Sequence, residues 1–436
     1  MKKFLSGLLL VVIVIVALAI WIMLPWYVAL VLAVLLAIWL GVTRRGRQTM
    51  TVTGVGLSTL SSRWGASSVI VIGIAGVVGV LVALLAMGEG FQATLKQTGS
   101  EDTAIVMRAG AQAELNSVLD HDSAVLIAQA PGVAKDGAGR PIASPELVVV
   151  ASLPKKSSGL DANVEIRGVG AQAWALRPNV KIIAGRKFTP GLRELDVGKG
   201  ARQQFNGVDI GSTLNLNNQT WTVVGAFDSG DAFDSELWGD AGVVASAYRR
   251  GSSVTSVTVK LDDARSFDKF KAALAADPRL KVDATTTRDY YSKQSEQLDK
   301  LIRILGTTVA LIMAIGAIFG ALNTMYAAVA TRAREIATLR AIGFRGAPVV
   351  VSVMLETMLL ALLGGVLGAA IAWALFDHYT VSTLGNNFSQ VVFQFKVSPA
   401  LLWIGIKWAL AIGFIGGLFP AVRAARLPVT TALREL

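Results

Sequence analysis

Residues 304–348 read ILGTTVALIMAIGAIFGALNTMYAAVATRAREIATLRAIGFRGAP. The first 26 of them, Ile304–Val329, carry no charge. A helix needs about 20 apolar residues to cross a bilayer core of roughly 30 Å, so this run is predicted to be a span. The charges come immediately after it. Arg332, Arg334, Glu335 and Arg340 fall within Ala330–Gly346. There Ile336, Leu339 and Ile342 follow at i, i+3 and i+6, which predicts one apolar stripe with Arg340 just beside it. Gly343 is placed to end the helix. The pattern predicts a short helix lying along the membrane, basic on one side and apolar on the other, suited to docking on a partner.

Five further apolar runs flank this element: Phe4–Leu24, Tyr27–Thr43, Ala66–Met87, Ala347–Phe376 and Pro399–Val422. The reading is an α-helical polytopic membrane protein with six spans. The composition agrees, with 53% hydrophobic and only 16% charged residues against about 25% charged in soluble domains. Phe4–Thr43 is a hairpin broken near Leu24-Pro25-Trp26, where proline suits a tight turn. Its first run exceeds the h-region of about 7–15 residues found in signal peptides.

The charge distribution orients the spans. With the N-terminus inside, the inner segments are 1–3, 44–65, 330–346 and 423–436, and they hold 13 of the 41 Lys and Arg but only Glu335 and Glu435 among the acids. All of the net charge of +11 therefore sits on that side. This removes the motive for a nucleic-acid partner and implies lipid contact instead. The divisions are 1–43 hairpin, 44–65 cytoplasmic amphipathic segment, 66–87 span, 88–299 extracytoplasmic domain, and 300–329 stalk end and span. They continue with 330–346 cytoplasmic coupling helix, 347–376 span, 377–398 outer loop, and 399–436 span and tail.

Residues 88–299 read as an α+β domain. Strands are predicted at Ala104–Arg108, Glu146–Ala151, Thr220–Phe227 and Val254–Leu261, with an amphipathic helix at Phe267–Ala276. Arg288–Leu305 has helical periodicity and runs without a breaker into the fourth span, predicting one stiff helix. Phe227–Asp240 carries Asp228, Asp231, Asp234, Glu236 and Asp240; without the glycine and glutamate of an EF-hand loop, it reads as a solvated acidic loop.

Chemistry is excluded more readily than assigned. With no cysteine and two histidines, His121 and His378, thiol chemistry and histidine-rich metal centres drop out. There is no G-x-x-x-x-G-K-[ST], G-x-S-x-G or H-E-x-x-H, so no cofactor and no catalytic residue is expected. Two charges fall inside spans, Glu356 and Lys407. Intramembrane charges are costly and mark function by default; at similar depth the two are candidates to pair. Glycines recur in the spans, at Gly73, Gly76, Gly79, Gly316, Gly320, Gly364, Gly365, Gly368, Gly413, Gly416 and Gly417, where small residues let helices approach closely.

The segment after the fourth span resembles the FtsX-like, MacB-type permeases of ABC transporters. Their signature, N-x-M, then R-x-R-E-I-x-x-L-R-A-x-G, then a glutamate, reads here Asn323-Thr324-Met325, Arg332 through Gly343, and Glu356. Gly88-Glu89-Gly90-Phe91 and Gly417-Leu418-Phe419-Pro420-Ala421 also look like that family. The resemblance implies four spans, an extracytoplasmic domain of two lobes inserted after the first, and a hairpin, 4–43, added to the pattern. Without a P-loop here, it implies a separate ABC ATPase subunit and a permease homodimer. It also leaves room for a periplasmic adaptor of the membrane-fusion type.

The resemblance further implies a bacterial inner-membrane location. ATPase coupling falls to Arg332, Arg334, Glu335, Ile336, Leu339, Arg340, Ile342 and Gly343. Two functions are open: a transport permease that couples hydrolysis to motion of its outer domain, for export or extraction at the outer face, and an FtsX-like relay that activates an extracytoplasmic partner such as a cell-wall hydrolase.

Overall fold

The computed structural model describes residues 17, 20–58, 64–341, 346–385 and 387–426. They form two compact units, one of residues 1–87, 301–378 and 396–436, the other of residues 88–300 and 379–395.

Among the described residues of the first unit, four helices are long and apolar enough to cross a membrane, with a fifth if one bent pair counts as a span. The four are Trp64–Gln97, Thr287–Thr331, Gly346–Phe376 and Pro399–Arg426. Six spans are thus not confirmed among the described residues. Phe4–Leu24 lies largely outside the described residues. Tyr27–Thr43 corresponds to the helix Trp26–Val42, which has only 17 residues, or about 25 Å of rise. It bends by 95° into the next helix, Arg44–Ser58.

Glycine governs how the long helices meet. A Cβ on Gly364 would lie 2.7 Å from the carbonyl oxygen of Val71, and one on Gly368 would lie 2.4 Å from that of Ala75. Gly365 and Gly413 similarly admit Ala409 and Ala361, and Gly416 and Gly417 admit Ala321 and Thr357. In lipid, where no hydrophobic force holds helices together, such approach is what supplies packing. Gly73, Gly76, Gly316 and Gly320 have nothing within 4 Å.

The second unit is built on a ten-stranded sheet. Its strands are β1 (Thr103–Arg108), β2 (Ala143–Pro154), β3 (Asp161–Val169), β4 (Lys181–Gly185), β5 (Glu194–Gly198), β6 (Thr213–Leu216), β7 (Gln219–Asp228), β8 (Glu236–Asp240), β9 (Ser256–Lys260) and β10 (Val282–Thr286). The order is β10-β1-β9-β2-β3-β8-β5-β7-β4, with β6 on β7. Strand β2 is shared by two lobes: Ala143–Glu146 pairs with β9, and Leu147–Pro154 pairs with β3.

Each lobe has its own core. Val106, Ile127, Val259, Phe270 and Leu274 fill the first; Ile166, Leu195, Phe205, Trp221 and Leu237 fill the second. The β6–β7 hairpin turns at Asn217 and Asn218, both at positive φ, the geometry a two-residue hairpin turn requires. A smaller two-stranded sheet, β11 (Thr380–Leu384) with β12 (Gln390–Gln394), also belongs to this unit.

Candidate functional site

The basic segment after the fourth span forms a turn and a short helix. The helix Thr287–Thr331 ends, Arg332 occupies the break, and Ala333–Ala341 resumes. Arg332 turns inward. Its Nη1 lies 2.9 Å from Glu356 Oε2 and its Nε 3.3 Å from Glu335 Oε2. Both Arg332 and Glu356 are buried, whereas the Glu335 side chain is half exposed. The signature arginine is therefore an internal rivet between the turn and the next long helix. Glu356 meets Arg332 and not Lys407.

Ile336 is buried at 3% exposure, so the expected apolar stripe begins inside the unit. Arg334 is exposed and Arg340 half-buried. Ile342 and Gly343 lie outside the described residues, as does the side chain of Leu339.

Lys407 is buried too. Its Nζ donates to the carbonyl oxygens of Ile22 and Leu24, the latter at 3.2 Å, and Trp21 Nε1 donates to the Lys407 carbonyl at 3.0 Å. The last carbonyls of a helix lack intrahelical partners, and the break at Leu24-Pro25 leaves such acceptors for the ammonium.

A second charged centre lies in the extracytoplasmic unit. Arg167, on β3, is 1% exposed and meets four carboxylates: Glu114 at 2.8 Å, Glu146 at 3.0 Å, Glu165 at 2.8 Å and Glu236 at 2.8 Å. Arg177 grips Glu146 through two bonds of 2.7 and 2.8 Å. The rings of Phe233 and Trp238 lie under Arg177, centroids 4.7 and 5.4 Å away. Ser256 and Trp238 donate to Glu114 and Glu236.

Two guanidiniums thus face four carboxylates. Burial, together with the charges of Glu236 and Glu114, pushes Glu165 up to about 8 against the pull of Arg167. Glu146, between the two arginines, is held below the usual carboxylate range.

The acidic stretch after β7 is not solvated as expected. Asp231 and Glu236 are buried, and Asp234 is partly so. Asp231 Oδ1 accepts from Phe233 N at 3.0 Å, and Asp234 Oδ1 accepts from Ser229 N at 2.6 Å. These carboxylates cap turns. Among the described residues no three His, Asp or Glu side chains are grouped to hold a metal ion. A cavity of about 420 Å³ opens beside Asp231, Asn179, Arg177, Lys260 and Tyr291.

Comparison with known proteins decides the class. A family model described as the MacB-like periplasmic core domain matches residues 67–277, and one described as the FtsX-like permease C-terminal matches residues 307–429. The chain belongs to the FtsX/MacB-type ABC permease family.

It is similar to the macrolide export ATP-binding/permease protein MacB of Escherichia coli, with 26% identity over 390 residues, 84% of this chain and 57% of that protein. To MacB of Photorhabdus laumondii it is 29% identical over 236 residues, 52% of this chain and 35% of that one. The chain spans about half the length of the curated relatives it matches. The periplasmic region of MacB from Actinobacillus actinomycetemcomitans aligns at TM-score 0.34 and 16% identity, over 47% of this chain and 95% of that one. Like its family, the permease is an inner-membrane protein with an extracytoplasmic domain.

Sequence reasoning missed the Arg167 centre in this permease. Glu165 and Arg167 sit two apart on one strand, a spacing that puts both on one face. Glu114, Glu146 and Glu236 come from three other elements and carry no local signal.

Proposed function

We propose that this chain is the membrane permease of an ABC transporter in which ATP hydrolysis on the cytoplasmic side moves the extracytoplasmic domain, for export or extraction of a substrate at the outer face. The observation that carries the reading is the single helix Thr287–Thr331. It is 45 residues long, or about 68 Å at 1.5 Å per residue. It begins directly after β10 of the extracytoplasmic unit and ends at the Arg332 turn. A rigid helix is a suitable element for carrying displacement from one end to the other.

In this reading the basic segments 1–3, 44–65, 330–346 and 423–436 face the cytoplasm. The element Ala330–Gly346 docks on an ABC ATPase, and two permease copies act together. With Arg332 and Ile336 turned inward, docking falls to Arg334 and Arg340, together with Leu339 and Ile342 as the sequence pattern expects. The hydrolytic activity belongs to the ATPase, and the permease supplies no catalytic group or cofactor.

The test is reconstitution of the permease with its ATPase in lipid nanodiscs, with Arg334→Glu and Leu339→Asp compared with the unaltered chain. Loss of a central anchor costs above about 2 kcal/mol, so co-purification and stimulated hydrolysis should both fall by tenfold or more, on the order of the factor that energy represents. Unaltered co-purification in both variants would remove the docking assignment.

A further inference from the structure

The β11–β12 hairpin joins two long helices, following Gly346–Phe376 by three residues and preceding Pro399–Arg426 by four. It is seated in the extracytoplasmic unit with little room to spare. A Cβ on Gly90 would lie 2.0 Å from the carbonyl oxygen of Gln394, and the rings of Phe91 and Phe393 meet edge to face at 5.4 Å. Phe393 is 3% exposed.

Polar contacts surround this anchor. Val392 N donates to Ser235 Oγ at 2.8 Å, Asn163 Nδ2 donates to the Phe388 carbonyl at 2.9 Å, and Lys155 Nζ reaches Ser382 Oγ and Gln390 Oε1 at 3.2 Å each. Phe388 is held at φ 55°, a backbone conformation that bulky residues avoid unless their surroundings impose it.

The tip of the hairpin closes the Arg167 centre. Asn387 Nδ2 and Ser389 Oγ donate to Glu165 Oε2 at 3.0 and 3.1 Å, while Glu165 Oε1 accepts from Arg167 at 2.8 Å. Among the described residues Glu165 is the member of the centre that the hairpin's side chains bond, and the hairpin supplies neutral donors, not a third cation. The charged and titratable groups around Glu165 are Arg167 on its own strand, Glu236 on β8, Glu114 in the turn after β1, and Tyr290 on the helix Thr287–Thr331. Glu146 and Arg177 neutralise each other one step further out.

We propose that the β11–β12 hairpin is a latch that hands the movement of its two flanking helices to the extracytoplasmic domain, and that Glu165 is the positioning residue that seats it. The inference rests on the reading that ATP hydrolysis moves this domain. It adds a second route of transmission to the helix Thr287–Thr331, entering the domain at β3 in the middle of the sheet. Asn387 and Ser389 seat the hairpin by donating to Glu165 Oε2, which serves only as an acceptor; the Asn387 bond lowers the proton affinity of the carboxyl, while burial and the charges of Glu236 and Glu114 raise it. A glutamine at 165 keeps the shape but has one acceptor oxygen where the carboxylate has two, so it cannot serve Arg167 and the hairpin together.

The experiment is amide hydrogen exchange of residues 380–394 in the full chain in nanodiscs. Glu165→Gln and, separately, Asn387→Ala with Ser389→Ala are compared with the unaltered chain at one pH. We expect exchange of 380–394 to rise by about tenfold in both, on the order of losing one hydrogen bond to a buried carboxyl, while exchange of 213–228 stays as it is in the unaltered chain. Exchange of 380–394 in Glu165→Gln equal to that of the unaltered chain, or a rise spread equally over 213–228, would overturn the seating role of Glu165.

For the latch itself, the ATPase is added with Mg-ATP, and exchange is followed in 161–169. A nucleotide-dependent change in the unaltered chain that falls at least fivefold in the double variant supports the latch. An equal change in both overturns the latch alone. No change in either removes the underlying reading of ATP-driven motion, and the latch with it.

Discussion

Replacing Arg332 by leucine should damage this permease far more than replacing its other partner, Glu335. The guanidinium bonds to two carboxylates in different surroundings. Glu356 is 4% exposed and 2.9 Å away; the Glu335 side chain is half exposed and 3.3 Å away. Breaking a buried ion pair from one side strands the remaining charge and costs about 3–5 kcal/mol. An exposed pair is worth about 0–1 kcal/mol.

Arg332→Leu is therefore expected to lose about 3 kcal/mol or more, on the order of a hundredfold in the unfolding equilibrium. Glu335→Gln is expected to lose under about 1 kcal/mol. Arg332→Leu with Glu356→Leu should recover most of the loss, because both desolvation costs vanish together and leucine packs in the space. The assay is reversible unfolding in mixed micelles, read as a double-mutant cycle. The reasoning is refuted if the two single losses simply add, or if Glu335→Gln costs as much as Arg332→Leu. A double variant that is stable yet fails to couple with the ATPase would separate the rivet's mechanical role from its structural one.

Lys407→Met should keep the volume of the side chain but release the carbonyls of Ile22 and Leu24, at a cost of about 1–3 kcal/mol for the unmet acceptors; faster amide exchange over 20–42 is the readout, and unchanged exchange would detach Lys407 from that hairpin. Gly368→Ala places a methyl against the Ala75 carbonyl oxygen and should cost about 1–3 kcal/mol through forced separation of two helices, whereas Gly316→Ala meets nothing within 4 Å and should raise the melting temperature slightly, since alanine is favoured over glycine inside a helix by about 0.5–1 kcal/mol.

The extracytoplasmic unit should lose stability as pH rises from about 4 through 7. Buried Asp196, whose Oδ1 has no hydrogen-bond partner, is pushed up to about 7 by burial, so the folded state keeps a proton that the unfolded chain gives up near 4. Asp196→Asn should reduce that slope in a pH series of thermal unfolding, leaving the part due to Glu165 and Asp231, which burial also pushes up. Glu194, pulled down to about 2 by Arg186, acts in the opposite sense, and its contribution is lost only as pH falls below about 4.

Much of this architecture was legible because it depends on local pattern. An uncharged run such as Ala347–Phe376 is a helix in any fold that puts it in lipid, since only a helix satisfies its backbone there; it appears as Gly346–Phe376. The stiff helix through Arg288–Leu305 was readable because no proline or glycine interrupts its start. Strands β1, β7 and β9 and the helix Ser266–Ala276 fall close to the segments that alternation and amphipathic spacing picked out.

The second run was marginal by the same rule. Its 17 residues fall short of a bilayer, and the chain turns by 95° just beyond them.

The sequence by itself therefore determined which segments are apolar helices, where the charge is concentrated and which motif the chain carries. Tertiary structure alone decided who meets whom. Glu356 and Lys407 looked like partners because depth along a span can be counted in residues, but rotation about the helix axis and the position of a third element cannot. Arg332 reaches Glu356 from a turn 24 residues earlier, and Lys407 finds carbonyls 383 and 385 residues away.

Glu236 shows the same limit. Counted among five acids it reads as surface; placed on β8 beside β3, it becomes a partner of Arg167. Charge pairing is set by distances of about 3 Å in space, and a linear pattern constrains those distances only within one strand or one turn of helix.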